Sequence, residues 1–224
     1  MEALKRFAVI GDVHAEDTML AAALEHLRGA GIERVLAVGD VVDGAGDPNR
    51  CCRLLRDHAV ITVRGNHDRW ILEARMRTLP HATLPEALDA GSRTWLASLP
   101  ATRTFATPLG PLLLCHGLGE DDMARVDLEA DAATLSSDDA IRALRETSAA
   151  IVVHGHTHKR SVHEIPGLVL IDAGTLHRDD RPGLIVIDLD ARVVEGLDFD
   201  PHGALVAGAR HQFGRAGQDV WGQF

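Results

Sequence analysis

Short apolar runs that stop abruptly at Gly, Asp, Asn or His recur five times before residue 160. Phe7–Ile10 leads into Gly11-Asp12, Val35–Val38 into Gly39-Asp40, and Val60–Val63 into Arg64-Gly65-Asn66-His67. Leu112–Leu114 leads into Cys115-His116, and Ile151–Val153 into His154-Gly155-His156. Runs of this length without alternation predict strands buried on both faces, and the polar residues at their ends would gather along one edge of a sheet. Between the runs lie helical patterns. Asp17–Arg28 carries Leu20, Leu24 and Leu27 on one stripe and is followed by the stop signals Gly29 and Gly31. Further helices are expected near Asn49–Asp57, Asp68–Thr78, Leu84–Ser98 and Ser137–Ser148. After Ser161 the pattern becomes Val162–Ile165, Leu168–Ile171, Leu184–Leu189 and Val193–Leu197, separated by turns, which predicts a β meander. Residues 1–200 thus form one α/β domain. The segment 201–224 is rich in Gly, Ala and polar residues, has Trp221 and Phe224 near its end and shows no clear period, so it is expected to be a tail of uncertain order.

Composition narrows the function classes. The chain has 224 residues, 46% of them apolar and 25% charged, a globular balance with room for a substantial core. A formal charge of -10 argues against a broad nucleic-acid surface. It does not exclude a small phosphorylated substrate, whose charge can be met by metal ions in a cleft. No run reaches the roughly 18 apolar residues of a membrane span, and the N-terminal apolar stretch is too short for a signal core. Adjacent Cys51 and Cys52 with a single Cys115 make no disulfide framework. A cytoplasmic protein without a membrane partner is expected, with oligomerisation left open.

Five clusters carry chemistry: Asp12-Val13-His14, Gly39-Asp40-Val41-Val42-Asp43, Gly65-Asn66-His67-Asp68, His116-Gly117 and Gly155-His156-Thr157-His158. They offer carboxylates, an amide and imidazoles, a donor mixture suited to Zn, Mn, Fe or Co more than to Mg or Ca. In Asp-x-His, residues two apart on an extended segment point to the same side, so Asp12 and His14 can reach one ion.

These motifs, in this order, resemble the pattern D-x-H, G-D-x-x-D, G-N-H-D/E, H, G-H-x-H of the calcineurin-like metallophosphoesterase superfamily, and within it the small bacterial phosphodiesterase-like branch. The resemblance implies two mixed β-sheets packed as a sandwich and flanked by helices, four layers in all. It implies a dinuclear centre of divalent ions (Mn, Fe, Zn or Co), one held by Asp12, His14, Asp40 and His158, the other by Asp40, Asn66, His116 and His156, with Asp40 as the bridge. It further implies hydrolysis of phosphomonoesters or phosphodiesters by a metal-bound hydroxide, with His67 as general acid and Asp68 orienting it. Gly44 stands where protein phosphatases and symmetrical dinucleoside tetraphosphatases carry a phosphate-gripping Arg. The Asp172-Ala173-Gly174-Thr175 segment resembles the Asn-Pro-Gly-Ser turn of the bacterial branch, with Asp replacing Asn.

Other residues have a plainer reading beside the functional one. Asp43 either caps its turn or serves the site, and Asp68 is also a natural N-cap for the next helix. Arg64, Arg69 and Arg178 flank the motifs as candidate phosphate contacts or as paired charges. His154, His163 and His177 have no motif position, while His26, His58, His81, His202 and His211 read as surface or packing residues. Leu118–Ser148 is expected to be a helical insert beside the site. The alternative function is a non-enzymatic scaffold of this fold that binds protein partners.

Overall fold

The computed structural model describes residues 3–214 and 222–223; Trp221 and Phe224, singled out above, lie outside the described residues. Two six-stranded sheets pack face to face. The first contains β1 (Arg6–Ile10), β2 (Val35–Ala37), β3 (Ile61–Thr62), β9 (Gly183–Asp188), β10 (Val193–Phe199) and β11 (Leu205–Gln212), in the order β11-β10-β9-β1-β2-β3. The second contains β4 (Arg103–Phe105), β5 (Leu112–Leu114), β6 (Ile151–His154), β7 (Ser161–Ile165), β8 (Leu168–Asp172) and β12 (Gly222–Gln223), in the order β12-β7-β8-β6-β5-β4. Both are mixed: β1, β2 and β3 run parallel, as do β5, β6 and β8, while β9 joins β1 antiparallel.

The core between the sheets explains the unalternating runs. Phe7, Val9, Leu36, Val38, Leu114, Val153, Ile171 and Ile187 face the partner sheet and are fully buried. Ile10, Ala37, Val152 and Leu170 face outward and are buried too, because helices cover both outer faces. On the first sheet these are α1 (Asp17–Gly29), α2 (Pro48–Asp57) and α4 (Ala90–Ser98), which contribute Leu20, Leu24, Cys51, Leu55 and Leu96. On the second they are α5 (Ala132–Ser137) and α6 (Asp139–Glu146), with Leu135, Ile141 and Leu144. The helical insert is therefore the outer layer of the second sheet. The four-layer α/β sandwich is the architecture the sequence leads one to expect. No helix among the described residues is long and apolar enough to cross a membrane.

Several boundaries differ from the sequence reading, each for a local reason. Helix α3 runs Asn66–Leu72, beginning inside the Gly-Asn-His-Asp motif and ending before Ala74 and Met76, both at positive φ. The Leu84–Ser98 pattern is split into a 3-10 turn at Pro85–Ala87 and α4, whose N-cap Asp89 accepts from Ser92 N at 2.6 Å. The strands after Ser161 do not form one meander. They make two hairpins, β7–β8 in the second sheet and β9–β10 in the first. A strand also occupies part of the presumed tail: β11 pairs antiparallel with β10 from Val193↔Gln212 to Phe199↔Leu205, and Phe213 is buried between the sheets. Its residues are mostly exposed because it is an edge strand, so it lacks the apolar run that betrays the central ones.

Candidate metal centre

All five clusters lie where strands of the two sheets end side by side. Asp12 follows β1, Asp40 follows β2, Asn66 follows β3, His116 follows β5, and His156 and His158 follow β6. The chain turns sharply at these exits. His14, Asp40, Asp43, His156 and His158 all have positive φ, between 46° and 72°, conformations that L residues adopt only when the surroundings over-determine them. Gly65 has an ordinary conformation, yet a Cβ there would overlap the Asp40 carboxylate and backbone.

Two groups of donors converge, and their hydrogen bonds fix which atoms face inward. His14 Nδ1 donates to the Asp43 carbonyl at 2.8 Å, leaving the Nε2 lone pair toward His158 Nε2, 3.0 Å away, and Asp40 Oδ2, 3.8 Å away. His158 Nδ1 donates to Asp180 Oδ2 at 2.7 Å, and its Nε2 lies 3.2 Å from Asp12 Oδ2. In the second group His116 Nδ1 donates to the Val38 carbonyl at 2.9 Å, so Nε2 faces Asn66 Oδ1 at 2.8 Å and Asp40 Oδ2 at 3.3 Å. His156 Nδ1 is 3.0 Å from the same Asn66 oxygen. Asp40 Oδ2 lies between the groups. With neutral imidazoles these are acceptor atoms facing acceptor atoms, an arrangement that requires positive charge between them. The residues thus fit metal ions, and Asp12-His14-His158 and Asp40-His116-His156 each bring their donor atoms within 4.8 Å of one another.

Electrostatics agree. Asp12 and Asp40 are buried, which opposes their charge, yet His116 and the other rings hold both carboxyls below the usual range. Burial pulls the His116 pKa down, but Asp40 and Asp12 push it up to about 10. His158 is raised to about 9 against its burial by Asp12 and Asp180. The cluster attracts cations, whether protons or metal.

His67 stands beside this set. Its Nδ1 lies 2.7 Å from Asp43 Oδ2 and its Nε2 4.0 Å from Asp40 Oδ2. Burial opposes its charge, but the bond to Asp43 and the nearby Asp40 raise its pKa. Arg77 grips the same carboxylate, Nη1 to Oδ1 at 2.7 Å and Nη2 to Oδ2 at 2.9 Å, and Thr83 N donates to it. Asp43 therefore serves the site, and Arg77, which carries no motif signal, was missed in the sequence.

The expectation that Asp68 orients His67 requires correction. Asp68 is the third residue of α3, and its carboxylate turns back to accept from Gly65 N at 3.0 Å and from Val41 N at 2.8 Å. It braces the two loops that carry Asp40 and Asn66. Burial and the Asp40 charge push its pKa up to about 7. Arg69 and Arg178 are occupied, by Asp122 at 2.7 and 2.8 Å and by Glu16 at 2.7 Å. Arg64 makes no side-chain ion pair among the described residues and lines a cavity of about 180 Å³ with Arg69, His116 and Glu120. Asp172 bonds Thr157 Oγ1 at 2.7 Å and so holds the turn between His156 and His158. Gly44 has no room for a side chain, since a Cβ would overlap the His14 carbonyl.

The model of the calcineurin-like phosphoesterase superfamily domain matches residues 6–192. The chain belongs to this superfamily. Among curated relatives of this phosphoesterase domain, it is 38% identical to an uncharacterized protein of Methanocaldococcus jannaschii over 29% of this chain and 27% of that protein. It is 38% identical to serine/threonine-protein phosphatase 1 of Salmonella typhimurium over 30% of this chain and 32% of that one. The chain thus spans about a third or less of the curated relatives it matches. Among solved structures, a metallophosphoesterase from Sphaerobacter thermophilus aligns with TM-score 0.63 at 21% identity over 88% of both chains. Vps29 of Entamoeba histolytica complexed with zinc aligns with TM-score 0.55 at 17% identity, covering 92% of this chain and 98% of that one. At these identities the two structures share the fold of this domain.

Proposed function

We propose that this phosphoesterase-superfamily chain hydrolyses phosphate esters at a dinuclear metal centre. Asp12, His14, Asp40 and His158 hold one divalent ion, of the Mn, Fe, Zn or Co class, and Asp40, Asn66, His116 and His156 hold the other. The observation that supports this most is the convergence of His14 Nε2, His116 Nε2 and Asp40 Oδ2, with His158 Nε2 beside them, an arrangement that calls for positive charge between the groups. When bound, such ions supply a water nucleophile active near neutral pH and offset charge on the phosphoryl oxygens.

The chain's own groups supply the rest. Asp43 accepts from His67 Nδ1 and, with Asp40, favours the doubly protonated ring, whose Nε2–H faces the centre and passes its proton to the departing ester oxygen, leaving His67 neutral with its remaining proton on Nδ1. Arg77 fixes Asp43 from behind. The substrate is a small phosphorylated molecule met by the ions and not by a basic surface. On this reading the enzyme is cytoplasmic, in keeping with the free thiols of Cys51, Cys52 and Cys115.

A scaffold that only binds partners has no use for His67 held by Asp43 and Arg77 beside the metal-binding groups. The test is metal content with turnover of p-nitrophenyl phosphate mono- and diesters. The native chain should carry two ions and lose turnover on chelation. Asp40→Asn should weaken both ions together, because the bridging carboxylate serves both. Metal bound without turnover of any phosphate ester would favour the scaffold, and Asp40→Asn retaining both ions at native affinity would sink the bridge.

A further inference from the structure

Residues 176–180, which follow the Asp172–Thr175 turn after β8, lie outside the superfamily motifs, yet they form a wall of the same site. Thr175 pairs with Asp12 in an isolated parallel bridge. Thr175 Oγ1 and Leu176 N donate to the Asp12 carbonyl at 2.9 and 2.8 Å. Two residues on, Arg178 clamps the buried Glu16 through its backbone N at 3.2 Å and its guanidinium at 2.7 Å. The loop is thereby tied to the segment that carries Asp12 and His14. At its far end Asp180 Oδ2 lies 2.7 Å from His158 Nδ1 and 3.4 Å from His177 Nδ1, and the His177 ring meets the His14 ring edge-on with centroids 5.4 Å apart.

Comparison of the three rings that offer Nε2 shows what Asp180 does. His14 and His116 are held by the carbonyls of Asp43 and Val38 and are buried, so neither can rotate. The His158 side chain is 29% exposed and sits on a backbone at φ 62°, and Asp180 is the partner of its Nδ1. Resting on the dinuclear reading, we propose that Asp180 is a positioning residue for the ion held by Asp12, His14, Asp40 and His158. It keeps the proton on His158 Nδ1, points Nε2 at Asp12, and strengthens His158 as a donor, as outer carboxylates do for metal-bound histidines. Removal of such a partner costs roughly 10- to 100-fold in metal affinity. Asp180 is itself 41% exposed, so solvent screening puts the expected loss near the lower end, about tenfold.

The test uses the full chain stripped of metal. Mn²⁺ is titrated by calorimetry and Co²⁺ by its visible absorption, for the native protein, Asp180→Asn and Asp180→Ala. The native chain should take up two ions. Both variants should bind one of them about tenfold more weakly and the other unchanged, with an altered Co²⁺ band for the weakened ion and with metal-free melting as in the native chain. Native affinity for both ions in both variants would overturn the proposal. So would a parallel loss of both ions with lower metal-free melting, which would make Asp180 a folding residue. A native chain that takes up no ion would overturn the dinuclear reading itself, before any variant is compared.

Discussion

At the scale of single residues the centre is built from side chains whose second hydrogen bond decides what the first atom can do. Asp43 holds His67 Nδ1 and favours the doubly protonated ring that can give up its Nε2 proton, so the value of His67 must grow with the basicity of the departing oxygen. His67→Asn should spare metal content while cutting turnover of an alkyl phosphate ester by roughly 10² to 10⁴, and of a p-nitrophenyl ester noticeably less. The ratio between the two esters checks the role. Equal loss on both would make His67 a group that holds the phosphate, and loss of metal would make it a ligand. Asp43→Asn keeps a side chain of the same shape but removes the charge, so it should move the same ratio in the same direction while Asp68→Asn should not. The proposed metal-binding residues could be picked out because each lies within four residues of the end of a strand. The choice between Asp43 and Asp68 could not, since Asp68 is the chain neighbour of His67 while Asp43 lies 24 residues before it, and only the direction of the Asp68 side chain, back onto the α3 N-terminus, leaves His67 to Asp43. Arg77 and Asp180 were invisible for a related reason: they act across 34 and 22 residues, and no local pattern records such a contact.

At the scale of elements, the strand-to-loop exits set the spacing of the site, and two glycines there, Gly65 and Gly44, are constrained by contact and not by conformation. Gly65 and Gly44 both lack positive φ, and each faces a backbone or ligand atom where a Cβ would go. Gly65→Ala should therefore act directly on the Asp40 carboxylate, weakening both ions and costing on the order of 1–3 kcal/mol in stability by overpacking. Gly44→Arg would restore the residue type that protein phosphatases carry there. It should nonetheless reduce phosphate-ester turnover, because the new side chain displaces the His14 carbonyl before it can reach any substrate. Higher turnover or tighter phosphate binding in Gly44→Arg, measured by product inhibition, would show that the turn opens to admit it. The central strands and α1 were legible from period and run length. The division of the last four strand patterns between two sheets was not, because a hairpin's own sequence does not record which sheet it joins.

At the scale of the whole molecule, the two sheets depend on chain that the sequence pattern leaves blank. β11 supplies an outer strand of the first sheet, pairing with β10 along most of its length through a register shift between Glu195 and Leu197. The strand itself faces solvent, but Phe213 directly after it is 1% exposed among Phe7, Leu114, Ile171 and Ile187. The connection is thus an exposed ribbon that ends in a core anchor. Phe213→Ala should cost about 3–5 kcal/mol by leaving a cavity between the sheets, and with roughly 2–4 °C lost per kcal/mol in a chain of this size the melting temperature should fall by about 6–20 °C. Truncation after Asp200 removes the anchor and also bares the β10 edge to pairing with other chains, so it should lower melting at least as far and promote aggregation. Truncation after Gly214 keeps both β11 and Phe213 and gives up, among the described residues, only the two-residue pairing of β12 with β7, so its melting should stay within a few degrees of the full chain. The two truncations together locate the boundary of the folding unit by thermal melting and light scattering. If both melt like the full chain, β11 and Phe213 are dispensable and the first sheet ends functionally at β10. If both fail alike, the part of the chain beyond Gly214 carries stability that the anchor does not.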